Sequence, residues 1–220
     1  MKSQFSDEML QKVSECGAIA VLVIDEAVNA VPTAKALLDG GICAMELTLR
    51  TPAALEALAN IRRELPEMLA GVGTILTPEQ VAQAVEANAA FGVAPGLNEN
   101  VVLAAQAAGL PFAPGIMTPS EIEKAVSLGC RELKLFPSEP LGGMKYLKSI
   151  AAPYAHLGLK YLPLGGLSLE NIGPYVESPH LLALGGSWIA KRELIQKQDW
   201  TAITANARAA REKIDAIRQK

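Results

Sequence analysis

Soft metal ligands are scarce in this chain: its 220 residues include two histidines, His156 and His180, and three cysteines, Cys16, Cys43 and Cys130. No CxxC pair occurs and neither histidine has a second ligand close by, so a zinc site is not expected and the metal expectation is none. An odd, widely spaced set of cysteines excludes a fully paired disulfide framework and points to a reduced, cytoplasmic setting. Positive charge is not in excess either. Lys and Arg number 20 against 23 Asp and Glu, and the net charge of -3 is not clustered. That marks neither a nucleic-acid face nor a membrane surface. No apolar run reaches the roughly 20 residues of a membrane span. The stretch from Met1 to Cys16 alternates polar and apolar residues, so a secretory signal is not expected.

Cofactor motifs are missing as well. Gly71-Val72-Gly73-Thr74 begins like a dinucleotide fingerprint, but Leu76 stands where the third glycine belongs. Gly142-Gly143-Met144-Lys145 lacks the P-loop spacing and the Ser or Thr after lysine. No cofactor is therefore expected. Trp188 and Trp200 read as packing residues, and the histidines, as loop or surface residues, build no nucleophilic triad.

What the chain does have is a regular alternation of short apolar runs with alanine-rich amphipathic stretches. Half of its residues are apolar, enough for a full core in one domain spanning residues 1–220. Eight runs have strand character: Ala18 to Ile24, Ile42 to Leu49, Leu69 to Thr74, Phe91 to Ala94, Pro111 to Pro114, Glu132 to Phe136, Lys160 to Leu164 and Leu181 to Leu184. Helices are expected from near Glu26, Pro52, Pro78, Asn98, Thr118, Gly142, Ser168 and Ser187. A further helix is expected at the N-terminus, and a long one runs from about Asp199 to the end. Thr51-Pro52, Thr77-Pro78 and Thr118-Pro119 each place a capping hydroxyl before a proline suited to the first helical position. Strict βα alternation implies a parallel sheet, and eight units predict a single α/β domain closed as a (β/α)8 TIM barrel.

Two strands carry charge where an apolar residue would be ordinary. Side chains alternate along a strand, so Glu46, Thr48 and Arg50 share one face while Met45, Leu47 and Leu49 share the other. Glu132, Lys134 and Phe136 likewise oppose Leu133 and Leu135. If the leucines pack on helices, the charges face the inside, which is costly unless they are paired. A lysine desolvated at the end of a barrel strand is biased toward the neutral amine that imine chemistry needs; it could equally snorkel to solvent or pair with Glu132. Glu46 could shuttle protons and Arg50 could hold a carboxylate in a bidentate grip, or the two could neutralise each other. Gly165-Gly166 and Gly185-Gly186-Ser187 follow the seventh and eighth strands, where barrels often bind phosphate through backbone N–H groups. Tight turns alone would also account for these glycines.

Seven segments then add up: Glu46-Leu47-Thr48-Leu49-Arg50-Thr51, Val72-Gly73-Thr74, Pro95-Gly96-Leu97, Pro114-Gly115-Ile116, Lys134-Leu135-Phe136-Pro137, Pro163-Leu164-Gly165-Gly166 and Gly185-Gly186-Ser187-Trp188. In order and spacing the chain resembles the 2-keto-3-deoxy-6-phosphogluconate aldolase and 4-hydroxy-2-oxoglutarate aldolase family over essentially its whole length. The resemblance implies a metal-free class I aldolase, usually a homotrimer. It puts Lys134 in the place of the imine-forming lysine and Glu46 in that of the acid/base residue. Arg50 and Thr74 match residues around the pyruvate carboxylate, and Pro95, Phe136 and Leu164 match substrate contacts. Gly165, Gly166, Gly185, Gly186 and Ser187 match the phosphate site. Leu164 departs from the pattern, since many gluconate-type members have threonine there. The expected reaction is cleavage of 2-keto-3-deoxy-6-phosphogluconate to pyruvate and glyceraldehyde 3-phosphate. Alternatives are the galactonate epimer, 4-hydroxy-2-oxoglutarate, a phosphosugar isomerase or epimerase, and a non-catalytic metabolite-binding barrel.

Overall fold

The computed structural model describes residues 3–219. Helix α1 (Asp7–Cys16) leads into β1 (Ala18–Leu22), and the chain then alternates strands with helices. In order these are α2 (Ala30–Asp39), β2 (Ala44–Thr48), α3 (Ala54–Glu64), β3 (Leu69–Gly73), α4 (Pro78–Glu86), β4 (Gly92–Val93), α5 (Glu99–Ala107), β5 (Phe112–Ala113) and β6 (Gly115–Ile116). There follow α6 (Pro119–Ser127), β7 (Glu132–Leu135), α7 (Gly143–Ala151), β8 (Lys160–Pro163), α8 (Gly173–Val176), β9 (Leu184–Gly186), α9 (Arg192–Gln196) and the long α10 (Trp200–Arg218).

All strand pairs are parallel, and they form two ladders: β5-β4-β3-β2-β1-β9 and β6-β7-β8. The fold is therefore α/β with a parallel half-barrel sheet, whereas the strand count predicts one uninterrupted eight-stranded ring. The ladders part at two places. Pro114 splits the fifth expected strand into β5 and β6 because proline has no N–H to donate. Beside it the Gly115 N–H donates to Gly96 O at 3.1 Å. The second break lies between β8 and β9, whose segments are linked by isolated parallel bridges that reach beyond the strands, Tyr161 to Leu181 and Leu164 to Gly185.

Local sequence explains most boundaries. Thr77 and Thr118 cap α4 and α6 in full capping boxes with Gln80 and Glu121, each before a proline. Thr51 does not repeat this: α3 starts only at Ala54, and the Thr51 hydroxyl donates instead to Ile24 O, tying together the loops after β1 and β2. The eighth strand also differs from expectation, running Leu184–Gly186 rather than from Leu181. Its glycines pair with β1, Gly185 opposite Ile19 and Gly186 opposite Ala20. A Cβ on Gly185 would lie 2.5 Å from Leu164 Cγ, so the strand can pass only where that side chain is absent.

The leucines opposite the charged faces, Leu47, Leu133 and Leu135, are buried in the hydrophobic core. Cys16 and Cys43 meet although they are far apart in sequence, the Cys43 N–H lying 3.2 Å from Cys16 Sγ, and all three cysteines are free thiols. Among the described residues no helix is long and apolar enough to cross a membrane.

Candidate active site

The inward charges gather where the C-terminal ends of the strands open into a cavity of about 350 Å3. β2 carries Glu46 and Thr48, with Arg50 just beyond it. Thr74 follows β3, Pro95 follows β4, β7 carries Lys134 with Phe136 beyond it, and Leu164-Gly165-Gly166 follows β8. Gly185 and Gly186 end β9 and Ser187 succeeds them, so every candidate singled out in the sequence lines this one cavity.

Lys134 Nζ donates to Glu46 Oε1 at 3.1 Å, with the side chains only 7% and 2% exposed. Among the described residues it is the one ion pair with both side chains buried. The ammonium also sits 5.6 Å from the Phe136 ring centroid, within cation–π range. Lys134 thus neither snorkels to solvent nor pairs with Glu132. Glu132 is separately buried, and that burial pushes its carboxyl above the usual carboxylate range against the opposing influence of Ser3 and Arg131.

Gly73 explains why Glu46 fits. A Cβ there would lie 2.9 Å from Glu46 Oε1, so the bare glycine makes room for the carboxylate. A Cβ on Gly71 would instead meet the Phe91 ring at 2.6 Å. The Gly71-Val72-Gly73 run that begins like a nucleotide motif is therefore explained by packing.

Arg50 is exposed at the rim, and its Nε donates to Thr48 Oγ1 at 3.1 Å while Thr48 Oγ1 donates to Leu22 O at 3.0 Å. Thr48 was on the charged face in the sequence but not among the candidates; it fixes where the guanidinium stands. Val21 and Leu167 line the cavity too and carry no chemical signal in the sequence. Thr74 adopts φ 64°, a left-handed conformation that a β-branched residue takes at a cost of roughly 1–3 kcal/mol.

Elsewhere in the cavity wall, Gly165 and Gly166 turn at φ 92° and 82°, a region open to glycine. The regular helices expected from Ser168 and Ser187 start later, at Gly173 and Arg192, and have only four and five residues. Any anion there would be held by loop N–H groups and the Ser187 hydroxyl rather than by a long helix. Asp25 grips Arg192 through two hydrogen bonds of 2.8 and 2.5 Å and accepts another from Gln196. These bonds hold the Asp25 carboxyl down at about 2 and tie the loop after β1 to α9.

The family model for KDPG and KHG aldolases matches residues 9–206. The chain belongs to that family. The 2-dehydro-3-deoxy-phosphogluconate aldolase of Dickeya dadantii (strain 3937) is 41% identical over 87% of this chain and 89% of its own. The KHG/KDPG aldolase of Escherichia coli (strain K12) is 40% identical over the same shares. Among solved structures, KDPG aldolase from Legionella pneumophila, with pyruvate captured at low pH as a covalent carbinolamine intermediate, superposes with a TM-score of 0.86. It is 35% identical, with 90% of this chain and 95% of that chain covered.

Proposed function

We propose that this KDPG/KHG-family aldolase reversibly cleaves 2-keto-3-deoxy-6-phosphogluconate to pyruvate and glyceraldehyde 3-phosphate through an imine on Lys134. The single observation carrying this reading is the buried Lys134–Glu46 pair, 3.1 Å apart, in a cavity lined also by Arg50, Thr74 and the glycine-rich segments after β8 and β9. Lys134 passes a proton to Glu46 and attacks the C2 ketone, giving a carbinolamine. Glu46 then protonates the departing hydroxyl, directly or through water, and an iminium forms. Glu46, again a carboxylate, takes the C4 hydroxyl proton directly or through water, the C3–C4 bond breaks, and its electron pair flows into the iminium. Glyceraldehyde 3-phosphate leaves, and the remaining enamine is protonated at C3 and hydrolysed to pyruvate, restoring Lys134.

Arg50 and Thr74 hold the carboxylate end, Pro95, Phe136 and Leu164 flank the reacting carbons, and Gly165, Gly166, Gly185, Gly186 and Ser187 hold the phosphate. Anchoring both ends aligns the bond to be broken. On the same reading the two ladders close as one eight-stranded barrel, supported by the isolated bridges that link the β8 and β9 segments. The working form is a homotrimer, supported by apolar Leu76 and Met117 left exposed after β3 and β6; light scattering tests it. The free thiols support a reducing, cytoplasmic setting. Pyruvate release from the phosphorylated substrate, with and without a chelator, tests the activity. No release would refute the activity, and activity that a chelator abolishes and a divalent metal restores would refute the metal-free reading.

A further inference from the structure

Behind the Gly165–Gly166 turn lies a hydrogen-bonded chain that does not line the cavity. Ser138 and Tyr175 are buried, and their hydroxyl oxygens are 2.8 Å apart. Tyr175 Oη donates to Glu139 Oε1 at 2.5 Å. A tyrosine has one hydroxyl proton, so with that proton on Glu139 it is Ser138 that donates to Tyr175. The same two residues grip the turn through the main chain. The Ser138 N–H donates to Leu164 O at 2.7 Å and the Glu139 N–H to Gly165 O at 3.0 Å. A Cβ on Gly166 would fall 2.6 Å from Glu139 Cβ, so Glu139 packs directly under the turn. From the other side, Asn171 Nδ2 donates to Gly166 O at 3.0 Å. Tyr175 sits on α8, just beyond Asn171, and joins the two sides.

We infer that Tyr175 and Glu139 are positioning residues that fix the Gly165–Gly166 turn in its anion-accepting shape, and so set affinity for the phosphorylated end of the substrate. This rests on the reading of that turn as the phosphate site. The bond runs from a buried tyrosine hydroxyl to a half-buried carboxyl oxygen, and its short length makes it directional. Loosening it frees the Glu139 side chain under Gly166 without touching Lys134 or Glu46. The cost therefore falls on binding of the phosphate, not on the imine steps.

The test compares Tyr175→Phe, Glu139→Ala and Glu139→Gln with the unaltered enzyme on phosphorylated and unphosphorylated 2-keto-3-deoxygluconate. A third readout, exchange of pyruvate methyl protons with solvent, involves no phosphate. The first two variants should raise KM for the phosphorylated substrate, and Ki for inorganic phosphate, roughly tenfold, the equivalent of one hydrogen bond. kcat, proton exchange and the unphosphorylated reaction should stay within about twofold, and glutamine, which keeps an acceptor for Tyr175, should restore most of the affinity. Equal losses in all three reactions, or an unchanged KM, would overturn the proposal. Should Tyr175→Phe not fold, the Glu139 pair decides by the same criteria. Ser187→Glu separates the two layers. If it weakens phosphate binding while the Tyr175 and Glu139 variants do not, positioning alone is wrong; if none of them does, the phosphate reading fails with it.

Discussion

Replacing Leu164 with threonine changes a cavity-lining side chain while leaving its backbone supported. The Leu164 N–H donates to Leu135 O at 3.0 Å and its carbonyl accepts from the Ser138 N–H at 2.7 Å, bonds that threonine also permits. The leucine is buried, with Cγ pressed toward Gly185, and presents only apolar atoms to the cavity. It therefore cannot tell apart two epimers that differ in the direction of one hydroxyl. A site that hydrogen-bonds a hydroxyl discriminates more strongly than an apolar wall, because the wrong epimer leaves a buried polar group unpaired. The unaltered enzyme should accept the gluconate and galactonate forms with a modest preference. Leu164→Thr should move the ratio of kcat/KM toward the gluconate form by about 0.5 to 1.5 kcal/mol, or roughly two- to thirteenfold. Losing part of a buried leucine should cost about 2 kcal/mol of stability, which a domain of ordinary stability survives. The assay is pyruvate release from each epimer with each protein, beside a urea melt. A strictly selective unaltered enzyme, or a ratio unmoved by threonine, would place discrimination elsewhere on the rim.

Three other changes test separate links. Glu46→Gln should lower turnover by roughly 10² to 10⁴ while preserving size, and steady-state rates equal to the unaltered enzyme across pH would rule out its proton-transfer role. Gly73→Ala places a Cβ 2.9 Å from Glu46 Oε1 and should push the carboxylate off Lys134. Misplacement of about 1 Å can cost roughly a hundredfold in rate, so kcat should fall well beyond any loss of stability; unchanged kcat would show that Glu46 need not stand there. Burial raises the Glu132 carboxyl in the folded state. The folded protein thus holds that proton more tightly than the unfolded chain, and the associated stability is lost as pH rises through the raised value. Glu132→Gln should therefore stabilise most at alkaline pH, with the advantage shrinking toward roughly pH 4.5; denaturant melts showing a pH-independent difference would contradict the assignment.

The strand pairing that frames the site was legible because period-two alternation exposes a charge on an inward face. Glu46 and Lys134 stood out against Leu47, Leu133 and Leu135 for that reason, and the structure brings both into one cavity. Glycine defeated the reading elsewhere. Gly185 and Gly186 belong to β9, yet glycines give no hydrophobic signal, so the apolar run ends at Leu184. The late starts of α8 and α9 went unseen because Ser168 and Ser187 look like caps but open irregular turns. Thr51 misled in the same way, its hydroxyl serving a neighbouring loop instead of α3. Contacts between distant segments left no local trace: the room that Gly73 gives Glu46, and the Tyr175 bond to Glu139, exist only once the chain is folded.

Imine formation on Lys134 is tested most directly by trapping. Incubation with pyruvate and borohydride, followed by intact mass and peptide mapping, should yield one reduced pyruvate adduct per chain, located on Lys134, with parallel loss of activity. Lys134→Arg, which keeps the positive charge but cannot become a nucleophilic amine, should form no adduct and release no pyruvate from substrate. An adduct on another lysine, or near-native turnover in the arginine variant, would contradict the mechanism.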